Sequence, residues 1–198
     1  ICRANDVLAL SDEIHGDLFS QVEKTLDLLL TKYLRAGISY EGVQRIETFP
    51  VPEPGLREAV INAIAHKDYA SAIPIQVSVY HDKLMIWNAG QLPQDWTIEH
   101  LTAKHASAPY NPDIANAFFR VAFMESWGRG IDLIRNVCRA AGKPEPAFRW
   151  DNGLWVEFAL QEARTPVETP GKTLVDTPGK TPARILELLK KNPTLTVP

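Results

Sequence analysis

The chain has 198 residues, of which 45% are apolar and 23% charged, and its net charge is −3. This composition is typical of a globular protein, and the slightly acidic balance excludes the strongly basic surface of many nucleic-acid-binding domains. No apolar run approaches the roughly 20 residues that span a bilayer, and Cys2 and Cys138 form no metal-binding pattern. We therefore expect a cytoplasmic protein that does not contact membranes.

The first half of the chain predicts a helix, a strand and a second helix. Apolar residues recur at helical spacing over residues 17–36, and Gly37 ends the pattern. Residues 39–49 alternate loosely and favour a strand. After three prolines, residues 56–67 predict an amphipathic helix.

The polar side of this second helix carries groups suited to a polyphosphate. Its members follow from a rotation of about 100° per residue: Glu58, Asn62, Ala65, His66 and Tyr69. The amide oxygen of Asn62 is a ligand of the type that Mg²⁺ prefers, and the nearby carboxylate of Glu58 can take a proton from an attacking water. A plain surface helix is the alternative, and His66 then serves only as a partner of the helix dipole.

The second half predicts two hairpins and three helices. Residues 73–80 and 83–87 alternate at period two and form the first hairpin, and residues 148–150 and 154–160 form the second. Residues 97–101 predict a short helix capped by Thr97, followed by an irregular loop over 102–110. A longer helix begins at Asn111, with Ile114, Ala117, Phe118 and Val121 expected inside, and another spans 130–141.

Residues 161–182 have the composition of a linker. A Thr-Pro-Gly-Lys-Thr segment occurs twice, but the upstream glycine of a phosphate-binding loop is missing. Residues 183–198 begin a new amphipathic helix.

Four segments together resemble the GHKL group of ATPases, which includes gyrase B and histidine kinases. They occur in the family's order at 57–69 (REAVINAIAHKDY), 88–93 (NAGQLP), 107–112 (SAPYNP) and 125–131 (ESWGRGI). Within that group the chain looks most like bacterial transcriptional regulators labelled RecG-like ATP-dependent DNA helicases. The resemblance covers about residues 17–160.

The resemblance implies ATP and Mg²⁺ as cofactors and assigns roles to eight residues. Glu58 matches the catalytic general base, and Asn62 matches the Mg²⁺ ligand. Asn88 and Gly90 match the adenine-binding box. The remaining matches, all in nucleotide binding, are His66, Gly128, Arg129 and Gly130.

Two departures from the family pattern keep a second function open. Asn88 stands where the family usually has Asp, and Leu92 replaces a further glycine. The alternative is a degenerate, non-catalytic scaffold that serves dimerisation or positions neighbouring domains.

The resemblance also implies the architecture. We expect an α+β two-layer sandwich of GHKL (Bergerat) type over 17–160, with helices on one face of a mixed sheet built from residues 40–49 and the two hairpins. Residues 1–16 are then the tail of a preceding domain, 161–182 a linker and 183–198 the start of a winged helix. DNA would bind through domains outside this chain or cut off from it. Whether the chain forms a homodimer is left open by the sequence.

Overall fold

The structure is a computed structural model. Its described residues are 2–3, 12–94, 96–103, 106, 108–124 and 128–160. The expected linker at 161–182 and winged-helix start at 183–198 lie outside these ranges, as do residue 1 and residues 4–11 of the expected N-terminal tail.

A five-stranded mixed sheet forms one layer of the fold. Its strand order is β1-β4-β5-β7-β6, and only the β1–β4 pair is parallel. The strands are β1 (Cys2–Arg3), β4 (Gln76–Val79), β5 (Lys83–Asn88), β6 (Ala147–Trp150) and β7 (Leu154–Ala159). Both hairpins expected from the alternating patterns are confirmed, since β4 pairs with β5 and β6 with β7.

The strand β5 holds the two hairpins together. It pairs antiparallel with β7, so that Leu84 lies opposite Phe158 and Ile86 opposite Val156. All four of these side chains are buried. Pairs of this kind, facing the core, fix the register of the sheet.

Helices form the second layer. They are α1 (Leu18–Leu28), α2 (Glu53–Ala65), α3 (Ile98–Thr102), α4 (Pro112–Arg120) and α5 (Gly130–Ala140). A π-helical turn, Leu29–Tyr33, continues α1. Helix α2 lies at the centre, because it contacts β5 as well as α1, α4 and α5. The expected α+β sandwich is thus confirmed.

Helix α2 is buried on more sides than an amphipathic helix would be. Nine of its thirteen residues are buried, and they include Glu58. The expectation of an amphipathic helix is wrong, because α2 packs between the sheet and three other helices. Short apolar residues such as Ala59 and Ala63 allow this close packing from several directions.

The expectation for residues 39–49 also needs correction. They do not join the main sheet. They contribute instead to a separate antiparallel pair, β2 (Gly37–Glu41) and β3 (Gln44–Thr48). The short strand β1 occupies the edge of the main sheet instead.

The inward face of α4 differs from the expected one as well. Phe118 is buried as expected, but Ala115 takes the second buried position. Ala117 and Val121 are exposed. None of the helices in the described part of the chain has the length and apolar character of a membrane-spanning segment.

Candidate functional site

Helix α2 brings Glu58 and Asn62 together, one turn apart. The amide Nδ2 of Asn62 donates to the carboxylate Oε1 of Glu58 at 2.8 Å and to the main-chain carbonyl of Glu58 at 3.0 Å. The side chain of Glu58 is only 5% exposed. These two hydrogen bonds fix the amide nitrogen, and with it the direction of the amide oxygen Oδ1.

The first turn of α5 lies directly against this pair. Gly130 is the first residue of α5, and a Cβ atom built there would lie 2.6 Å from Oε1 of Glu58 and would also meet the amide of Asn62. Glycine is therefore required for both side chains to keep these positions beside α5. Gly128, with a φ of 70°, adopts the left-handed conformation that leads the chain into α5.

The N-terminus of α5 is suited to anions. Its first main-chain N–H groups have no partner within the helix, and the helix dipole favours negative charge there. Arg129 is the N-cap residue, and its side chain makes no capping hydrogen bond. Arg129 is exposed and does not line the cavity described below.

The end of β5 supplies a third piece. Asn88 is 3% exposed, and its Nδ2 donates to the carbonyl of Ala89 at 3.3 Å. Its own carbonyl oxygen lies against Gly153, where a Cβ would not fit. The hairpin turn before β7 thus fixes the main chain of Asn88.

Gly90 and His66 join the end of β5 to the end of α2. A Cβ at Gly90 would lie 2.7 Å from the carbonyl oxygen of His66, and the N–H of Asp68 donates to Ala89 at 2.7 Å. His66 is the C-cap of α2, and its N–H donates to the carbonyl of Asn62. A close approach of two main chains therefore explains Gly90 without a ligand.

Seven of the eight residues singled out in the sequence line one cavity. Its volume is about 90 Å³, counted as the space open to the centre of a water molecule. The seven residues are Glu58, Asn62, His66, Asn88, Gly90, Gly128 and Gly130. The structure places Arg129 outside this group.

One wall of the cavity is apolar, and it was not predicted from the sequence. It includes Leu92, Trp96, Leu101, Phe148, Trp150 and Leu154. Trp96 stacks on His100, with 4.7 Å between the ring centroids, and Trp150 is 36% exposed. These residues lie on β6, β7, α3 and the segment after β5, and only the pairing of distant segments brings them together.

Some motif residues do not contribute to the described cavity. Tyr69 is 43% exposed, and its hydroxyl donates to the carbonyl of Ile64 at 3.1 Å. Partial burial raises the pKa of this hydroxyl. Ser107 and residues 125–127 lie outside the described residues.

A metal ion at this site would depend on oxygen donors. Within the described ranges, no three His, Cys, Asp or Glu side chains are close enough to hold a metal ion together. The amide oxygen of Asn62 fits Mg²⁺, because this ion commonly uses one or two protein oxygens together with substrate phosphates and waters.

Comparison with protein families gives a match over four strands of the main sheet, β4 to β7, and over helices α3, α4 and α5. Residues 73–159 match the model described as "Putative ATP-dependent DNA helicase recG C-terminal". The RecG-like resemblance is confirmed over this segment. The segment is similar to an ATPase-like domain related to RecG. The match contains Asn88, Gly90 and residues 128–130, whereas α2 with Glu58 and Asn62 precedes it.

A solved structure supports the fold. The crystal structure of the DIP2311 protein from Corynebacterium diphtheriae is similar with a TM-score of 0.67 and 20% identity, over 79% of this chain and 32% of that chain. At this identity the likeness shows the fold alone, and the chain spans about a third of the length of that protein. No curated protein matches the chain.

Proposed function

We propose that the cavity binds ATP together with Mg²⁺. The observation that carries the proposal is the convergence of Glu58 and Asn62 of α2 with the bare main chain of Gly130. A carboxylate, an amide oxygen and helix N-terminal N–H groups within one small volume suit a metal-bound triphosphate better than an uncharged ligand. The family match of residues 73–159 supports the same ligand.

The polar part of the cavity would bind the phosphates of the nucleotide, and the apolar part would bind its base. The phosphates would lie at the start of α5, and Asn62 would supply an oxygen ligand to Mg²⁺ there. The base would lie toward the apolar wall. There the amide of Asn88, whose nitrogen is directed to Ala89, offers its oxygen to an amino group of the base.

Glu58 is the residue suited to general-base catalysis in this proposal. A water held by its carboxylate would attack the γ-phosphorus and transfer a proton to Glu58. The new P–O bond would form as the bond to the β-phosphate oxygen breaks, and ADP would leave. The hydrogen bond from Asn62 keeps the carboxylate directed toward the cavity.

Two substitutions test binding and hydrolysis separately. Glu58→Gln keeps the Oε1 acceptor for Asn62 but removes the base, so we expect unchanged ATP affinity and a loss of turnover of about 10²- to 10⁴-fold. Asn62→Ala removes the metal ligand and should weaken Mg²⁺-dependent binding. Calorimetric titration measures the affinity, and phosphate release measures the turnover.

The results separate three cases. Unchanged turnover in Glu58→Gln would remove Glu58 from the catalytic role while leaving the ATP site in place. Binding without turnover in the unmodified chain would assign the domain to nucleotide sensing. The absence of heat at millimolar ATP and Mg²⁺ would favour the non-catalytic scaffold.

The wider role is inferred from the resemblance. We infer that this domain regulates a DNA-binding transcriptional regulator, with nucleotide binding in 17–160 coupled through a linker to a winged helix that begins near residue 183. The chain itself is not expected to unwind DNA. A salt-dependent gel shift with residues 1–198 tests whether DNA contacts this chain directly.

A further inference from the structure

The hairpin formed by β2 and β3 stands apart from the main sheet. Within the part of the chain that the structure describes, its two strands pair only with each other, from Gly37 opposite Thr48 to Glu41 opposite Gln44. Gly42 and Val43 form the two-residue connection, and the φ of 62° at Gly42 suits a type II′ turn with glycine first.

Apolar side chains of this hairpin face solvent. Ile38 is 53% exposed, Tyr40 is 68% exposed and Val43 is fully exposed. No residue of either strand is buried. An isolated two-stranded hairpin is marginally stable in water, and an open strand edge tends to pair with another strand.

The outer edge of β3 offers main-chain groups at two positions. In a two-residue hairpin the closing pair, here Glu41 and Gln44, is hydrogen-bonded, and bonded and non-bonded pairs then alternate. Arg45 and Glu47 fall at non-bonded pairs. Their N–H and C=O groups therefore point away from β2, along the open edge.

The charges along this edge of β3 are complementary to those of a second, antiparallel copy of the same edge. We propose that β3 pairs antiparallel with β3 of a second copy of the chain, with the two-fold axis at Ile46. Arg45 then lies opposite the partner's Glu47, and Glu47 lies opposite the partner's Arg45. Both pairs join opposite charges and exchange main-chain hydrogen bonds.

The paired edges form a four-stranded sheet that extends the cross-strand contacts. On one face, Ile38 lies beside Glu47, followed by the partner's Arg45 and the partner's Tyr40. In one chain, Arg45 and Glu47 already contact each other at 2.7 Å, with about half of each side chain exposed. Arg45 and Glu47 are therefore already positioned before a second copy of the chain binds.

The edge of β2 is less well suited to such pairing. An antiparallel pair centred on Ser39 would place Glu41 opposite a glycine and would contain no pair of opposite charges. The charge pattern therefore selects β3. This interface does not depend on the proposed nucleotide site.

Charge exchange tests the proposal on the full 198-residue chain. Sedimentation equilibrium should show a concentration-dependent dimer. Arg45→Glu and Glu47→Arg each place like charges opposite each other at both symmetry-related 45–47 pairs of the interface. Each should therefore raise the dimer dissociation constant about tenfold or more. An equimolar mixture of the two variants should form a heterodimer, and the double variant R45E/E47R should recover the homodimer.

Two further variants control for fold and for general charge. Glu47→Pro removes an outward N–H without breaking the bonds between β2 and β3, and it should yield a folded monomer by circular dichroism. Arg120→Glu reverses a charge on α4 and should leave the dimer unchanged. A monomer at all concentrations, or a dimer that resists both single exchanges, would overturn the proposal.

Discussion

Gly130 leaves room for the side chains of Glu58 and Asn62 beside the first turn of α5. The space that a Cβ would need is already filled by the carboxylate of Glu58 and the amide of Asn62. The neighbouring atoms are the ends of two side chains, which can rotate away. A larger residue at this position should therefore displace the site while leaving the fold intact.

We predict that Gly130→Ala weakens binding of Mg²⁺-ATP about tenfold or more. The reason is that displacement of either side chain loses a charge-assisted contact, worth about 1.5–3 kcal/mol. Calorimetric titration measures the change. Circular dichroism should show an unchanged fold.

Gly55→Ala is the matched control for that substitution. Gly55 also lies in a helix at a helix contact, but a Cβ there would be 3.8 Å from the nearest atoms, which is ordinary packing distance. We expect unchanged ATP affinity and a gain of about 0.5–1 kcal/mol in the free energy of unfolding, because alanine favours the helix. Equal losses of affinity in both variants would contradict the assigned role of Gly130.

At the level of elements, local sequence patterns predicted whether a segment is a helix or a strand. They predicted less well how deeply the segment is buried and which elements it packs against. The alternation in both hairpins correctly indicated strands, and the cap at Thr97 correctly indicated the start of a helix. The burial of α2 on most sides was not predictable, because it depends on three helices distant in sequence. The loose alternation at 39–49 could not show whether its strands would join the main sheet.

The cap of α1 gives a prediction on pH. Asp17 accepts hydrogen bonds from the hydroxyl of Ser20 at 2.7 Å and from its main-chain N–H at 2.9 Å. The Ser20 hydroxyl, followed by that main-chain bond, holds the pKa of Asp17 below its usual value of 3.8. The group therefore stabilises the fold above that value, and this contribution disappears as the pH falls through the lowered pKa.

We predict that Asp17→Asn lowers the melting temperature at pH 6 and that the difference shrinks below pH 4. Asparagine keeps a capping oxygen but lacks the charge that the helix dipole favours. Thermal denaturation of both proteins from pH 6 to pH 2.5 measures the difference in melting temperature. The other carboxylates are the same in both proteins, so their titration cancels in this difference. A difference independent of pH would contradict the prediction.

At the level of the molecule, the site exists only because three elements meet. Motif order predicted that Glu58, Asn88 and Gly130 would converge, and the structure places all three on one cavity. The aromatic wall of Trp96, Phe148 and Trp150 had no local signal. These side chains come from separate segments that meet only when β6 pairs with β7 and α3 contacts β6.

A ligand bound between these elements should stabilise the domain as a unit. At a free Mg²⁺-ATP concentration of 100 times the dissociation constant, binding adds about 2.7 kcal/mol to the free energy of unfolding. For a domain of this size, the melting temperature should rise by about 5–10 °C. Differential scanning calorimetry should show one transition that shifts as a whole, with Gly130→Ala shifting less at the same nucleotide concentration. Two transitions of which only one moves would show that α2, the sheet and α5 do not share the ligand.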